Sequence, residues 1–144
     1  MFMDTELLFS NAQAVTAAAA STNYLDLAVA VDISVGRPIY ISGGVDVALT
    51  DGSSDSTLDV DAYYDSTTTF TPDRQQLLHI VPAVSAIGYS FYASLNPLSS
   101  TLYRYLELYF TPNNGNLSTG SFTIGANLDI QRNNHYASGF TITS

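Results

Sequence analysis

Apolar and polar side chains alternate with a period of two along much of the chain, the spacing that places neighbours on opposite faces of a β-strand. The clearest run is residues 121–130, where Phe122, Ile124, Ala126, Leu128 and Ile130 form one face and Thr123, Gly125, Asn127 and Asp129 the other. Residues 101–110 alternate Leu102, Leu106, Leu108 and Phe110 against Tyr103, Tyr105, Glu107 and Tyr109, with Arg104 interrupting the apolar side. Between these runs, Pro112-Asn113-Asn114-Gly115-Asn116 supplies residues that tolerate positive φ. The two runs are therefore expected to pair as a hairpin.

Further strands are predicted over residues 23–31, 38–42, 45–49, 57–64, 75–81 and 87–95. In the last of these Ile87, Tyr89, Phe91 and Ala93 alternate; in residues 57–64 Leu58, Val60 and Ala62 point inward. Gly36, Gly43-Gly44, Gly52, Pro72, Pro82, Asn96-Pro97 and Pro112 punctuate the runs as turns, leaving no room for crossover helices. About eight short strands at this spacing predict an all-β chain, an antiparallel β-sandwich of jelly-roll type.

Helix has one candidate, residues 11–20, which contain four consecutive alanines. That segment lacks an amphipathic stripe. Residues 1–20 are therefore expected to form an N-terminal arm, with residues 21–144 as a single sandwich domain and a short C-terminal tail containing Tyr136 and Phe140.

The chain of 144 residues is long enough for one domain, which at this size buries roughly 68–70% of the surface its unfolded chain exposes. It has no cysteine, which excludes disulfides, thiolate zinc sites and a cysteine nucleophile. The N-terminal residues carry acid where a secretory signal needs basic residues, and no run reaches about 18 apolar residues. The expectation is a protein made in the cytoplasm, with no membrane partner. Four arginines and no lysine face thirteen carboxylates, for a formal net charge of -9. Such a balance argues against nucleic acid as a partner, because affinity for the phosphate backbone comes from Lys and Arg clusters.

Candidate chemistry is thin. Asp51, Asp55, Asp59, Asp61 and Asp65 are the best cation constellation, but the segment lacks the D-x-D-x-D-G order and closing Glu of an EF-hand. The only glutamates, Glu6 and Glu107, lie in different segments, so no two-carboxylate glycosidase pair stands out. His79 and His135 are far apart and lack zinc spacing, and no G-x-S-x-G elbow is present. The chain is expected not to be an enzyme, and to use no metal or other cofactor. What rises above this background is Tyr103, Tyr105 and Tyr109 around Glu107, on the face opposite an apolar one. Rigid aromatic area ending in a hydroxyl suits a protein interface, and also suits stacking against sugar rings. A carbohydrate-binding or host-receptor-binding module is therefore the alternative function.

Leu7-Leu8-Phe9-Ser10-Asn11-Ala12-Gln13-Ala14-Val15-Thr16, Ser21-Thr22-Asn23-Tyr24-Leu25-Asp26-Leu27 and Asp32-Ile33-Ser34-Val35-Gly36-Arg37-Pro38-Ile39-Tyr40 form a pattern at the start of the chain. With Phe122-Thr123-Ile124-Gly125-Ala126-Asn127-Leu128-Asp129-Ile130-Gln131 and Ser138-Gly139-Phe140 near its end, this resembles the capsid cement (decoration) proteins of tailed bacteriophages related to the Bordetella podophage. The resemblance implies a jelly-roll virion protein on the outer capsid surface that clamps neighbouring major capsid protein subunits and associates with itself as a homodimer or homotrimer. Leu7, Leu8, Phe9, Tyr103, Tyr105, Tyr109, Tyr136 and Phe140 are the candidate contact residues.

Overall fold

The computed structural model describes residues 7–31, 39–69, 74–82, 86–95 and 103–127. Among these residues nine strands follow one another: β1 (Leu8–Ala14), β2 (Ala19–Ala20), β3 (Leu25–Val31), β4 (Tyr40–Thr50), β5 (Thr57–Asp65), β6 (Arg74–Val81), β7 (Ser90–Ser94), β8 (Tyr103–Asn113) and β9 (Thr119–Asn127). They form two antiparallel sheets. One has the order β1-β9-β4-β7; the other runs β2-β8-β5-β6, with β3 also pairing β8. The expected all-β sandwich is present, and among the described residues there is no helix long and apolar enough to cross a membrane.

Alternation explains the core. Leu58, Val60, Ala62 and Tyr64 from β5 and Leu106, Leu108 and Phe110 from β8 face Phe122, Ile124 and Ala126 from β9 and Ile41 and Val45 from β4, all buried. Phe110 and Phe122 stack across the sheets with ring centroids 6.3 Å apart. At the β6–β7 side, the Tyr64 hydroxyl donates to Gln76 (3.0 Å), whose amide donates to the Ser94 carbonyl (3.1 Å), tying the two sheets together.

The N-terminal segment is part of this architecture rather than a free arm. β1 pairs β9 in one sheet and β2 pairs β8 in the other, so the boundary expected at residue 20 falls inside the sandwich. Between them Val15 is buried and its N–H donates to the Gly120 carbonyl at 3.0 Å. Gln13 holds the crossing: its amide donates to the Ala20 carbonyl (2.8 Å) while its carbonyl oxygen accepts from the Thr22 N–H (2.8 Å). The alanine run therefore forms no helix. Helical propensity is a weak preference, and sheet pairing with burial of Phe9 and Val15 overrides it.

Three other expectations are corrected. The runs around Pro112 do not form a hairpin: β8 and β9 belong to different sheets, and Asn114 and Gly115, both at positive φ, carry the chain from one to the other. Periodicity identifies strands but not their partners. Gly43-Gly44 is not a turn but the middle of the single long strand β4. A Cβ on Gly43 would lie 2.7 Å from the Phe91 ring and 3.0 Å from Ile124, so glycine here admits a close approach of neighbouring side chains. Ile87 lies in a turn before β7 and is exposed, its inward place in the alternation lost to the positive φ of Gly88.

Candidate interaction surface

Residues of β5 between the inward ones point away from the core, and the register aligns them in rows with β8 and β6. Asp59 sits between Thr111 and Ile80, Asp61 between Tyr109 and Leu77, Tyr63 between Glu107 and Gln75, and Asp65 beside Tyr105. Directly opposed residues on one face lie about 4.5–5.5 Å apart at Cβ, close enough for their side chains to touch. Tyr63 and Tyr109 stack with centroids 5.0 Å apart and planes 5° from parallel. Leu77 and Ile80 remain 51% and 48% exposed.

Among the described side chains, charge on this face is one-sided. Desolvation raises the Asp61 carboxyl above its ordinary value, with the Asp59 charge adding to the effect, and desolvation raises Glu107 as well. The Tyr63 hydroxyl is raised by burial and then by Asp61, Tyr109 and Glu107. Arg104 lies nearby on β8, but it is committed to Asp26 of β3 through Nε–Oδ1 at 2.7 Å and Nη2–Oδ2 at 2.9 Å. Its guanidinium also stands 5.1 Å from the centroid of Tyr105, which meets Tyr24 edge-on at 5.8 Å. The side chain that interrupts the alternation thus turns outward, where β3 and β8 slip in register between Asp26 and Val31.

The candidate contact residues separate. Tyr105 and Tyr109 lie half-buried on the outer side, Leu7 is exposed and Leu8 half-buried. Phe9 and Tyr103 instead belong to the core, contrary to the expectation of exposed anchors. For Phe9 the cause is β1 joining the sheet; for Tyr103 it is the slip that puts Arg104 and Tyr105 both on the outer side. Tyr136 and Phe140 lie outside the described residues. Leu77, Ile80 and Tyr63 were not among the sequence candidates. Tyr63 was legible from the parity of Asp59 and Asp61, whereas Leu77 and Ile80 reach the same face only through a bulge in β6 that spacing does not reveal.

Other candidate chemistry has structural explanations. Asp51 Oδ2 accepts from Ser56 Oγ (2.8 Å), the Ser56 N–H (3.2 Å) and the Asp55 N–H (3.3 Å), closing the β4–β5 turn. These bonds, led by the Ser56 hydroxyl, lower its pKa. His79 stacks on Phe91 at 4.4 Å and shares a 2.8 Å hydrogen bond with the Tyr89 hydroxyl. Among the described residues no group of three or more His, Asp or Glu could hold a metal ion.

Among solved structures, the chain is similar to one titled "Structure of infectious bursal disease virus Gx strain", with 8% identity and a TM-score of 0.48 over 83% of this chain. The match takes in 30% of that viral chain, so this protein spans about a third of its length. No curated protein matches. The Bbp16 family model matches residues 9–126, a stretch that holds strands of both sheets and runs through the acidic middle of the chain. The chain belongs to the Bbp16 family, a family of Bordetella phage proteins.

Proposed function

We propose that this protein is a structural component of a phage virion, one that decorates the outside of the icosahedral capsid and clamps neighbouring major capsid protein subunits. Membership of the Bbp16 family carries this reading, since it supports a viral structural protein, a class that is usually not enzymatic. The fold agrees with a jelly roll. β2 and β3 lie in succession along one edge of β8, and counted as one interrupted strand they leave eight strands, four to a sheet. Their order is then first-eighth-third-sixth and second-seventh-fourth-fifth, that of two interleaved Greek keys.

Cementing needs contact area rather than reactive groups, about 1,200–2,000 Å² in total for a stable interface. Leu7, Leu8, Tyr105 and Tyr109, with Tyr136 and Phe140 from the C-terminal segment, are the proposed contacts. Repetition of sites by icosahedral symmetry favours a closed homodimer or homotrimer. A sugar-binding module is less well supported, because Tyr63 and Tyr109 stack on one another and the chain has no tryptophan. Purified protein should pellet saturably with expanded, undecorated capsids. A protein that stays in the supernatant at every capsid concentration refutes the reading.

A further inference from the structure

Asp59, Asp61 and Glu107 stand half-buried on adjacent strands, and among the described residues none of their carboxylates has a hydrogen bond or ion pair. Asp59 Oδ1 is a buried atom without a partner among those residues. So is Oδ2 of Asp65, which ends the same strand and is itself only 2% exposed. Partly desolvated like charges disfavour folding unless an opposite charge compensates them. Beside them are two exposed aliphatic side chains, Leu77 and Ile80, and a rigid pair of tyrosine rings, Tyr63 and Tyr109.

Such a surface is complementary to one kind of occupant. A phosphate-bearing partner is repelled. A divalent cation needs several converging oxygens, and no group of three or more candidate ligands among the described residues is placed to hold one. A guanidinium or ammonium group on a long aliphatic stem matches both parts of the face: its methylenes cover Leu77, Ile80 and the tyrosine rings while its head meets the carboxylates.

We propose that the outer face of β8, β5 and β6 docks a cationic segment of a partner protein, its Arg or Lys side chains meeting Asp59, Asp61 and Glu107. Identifying that partner as the major capsid protein rests on the capsid-decorating function proposed above; the cationic chemistry of the occupant does not.

Two measurements keep these statements apart. In the first, a short synthetic peptide of alternating Arg and Leu is titrated into the labelled protein and followed by NMR. Amide shifts should concentrate on β5, β6 and β8, and D61N/E107Q should weaken binding by about tenfold or more. D55N, which removes one charge from the exposed β4–β5 turn, should leave affinity within about twofold. Shifts centred elsewhere, equal losses for D55N and D61N/E107Q, or calcium chloride alone producing the same saturating shifts would overturn the proposal. D61N/E107Q should melt at or above the wild-type temperature at neutral pH, so weaker binding will not reflect unfolding.

The second measurement pellets the same proteins with undecorated capsids. Wild type should bind and D61N/E107Q should bind at least about tenfold more weakly. Equal binding overturns this face as the docking surface and leaves the decorating function standing. Wild type that fails to pellet removes the capsid reading alone, and the peptide titration then decides on the face by itself.

Discussion

Replacing Phe9 with alanine tests how the N-terminal segment is built into the fold. The ring is fully buried and among the largest such side chains in the domain. Its backbone carbonyl accepts from the Asn23 N–H at 2.9 Å, linking β1 to the start of β3. Truncating a phenyl ring in a closed core costs about 3–5 kcal/mol. Against a total stability of about 5–15 kcal/mol that is a large share. At roughly 2–4 °C per kcal/mol for a domain of this size, Tm should fall by about 6–20 °C. Leu7→Ala, two residues away but 37% exposed, should cost about 1 kcal/mol or less. Urea unfolding followed by circular dichroism measures both, and an unchanged slope would show that the difference is one of stability. Loss of less than about 1 kcal/mol in F9A would refute the reasoning, because it would mean that the ring is not packed and that residues 7–20 are an arm after all.

Gly43→Ala forces a methyl group within 2.7 Å of the Phe91 ring, and overpacking of this kind should cost about 1–3 kcal/mol by urea unfolding. Burial lowers the His79 pKa, so its neutral form is favoured in the fold. Its contribution is complete above the free value of about 6.5 and is lost as pH falls through the lower folded value. His79→Phe should therefore flatten the decline in urea midpoint between about pH 7.5 and 5, and an unchanged slope would exclude His79 as its source. Asp61 and Glu107 have raised values, so the sign reverses: their favourable term is present below the ordinary carboxylate range and lost as pH rises through the folded values. Asp61→Asn should match or exceed wild-type stability at neutral pH while losing that advantage in acid; a destabilised variant at neutral pH would show that Asp61 has a compensating partner.

The sandwich was legible in the sequence wherever one face is apolar and the other polar. β5 and β9 follow their predicted alternation through Leu58, Val60 and Ala62 and through Phe122, Ile124 and Ala126. Pairing was not legible, because period two gives each strand its faces but not its neighbour, and the turn at Asn114-Gly115 serves a change of sheet as well as a hairpin. The alanines of residues 17–20 misled for the opposite reason. Their local preference is genuine, but Val15 and Phe9 gain more from the core than a solvated helix turn offers. On the interaction surface Tyr105 and Tyr109 followed from parity. Tyr103 did not, since the slip opposite β3 turns it inward while Arg104 reaches Asp26.

Decoration of a capsid can be seen by cryo-electron microscopy of expanded, undecorated capsids incubated with the purified protein. Added density with the shape of a two-sheet domain is expected, repeated with icosahedral symmetry on the outer surface and bridging neighbouring major capsid protein subunits. A reconstruction unchanged by saturating protein, or added density confined to the inside of the shell, would contradict it.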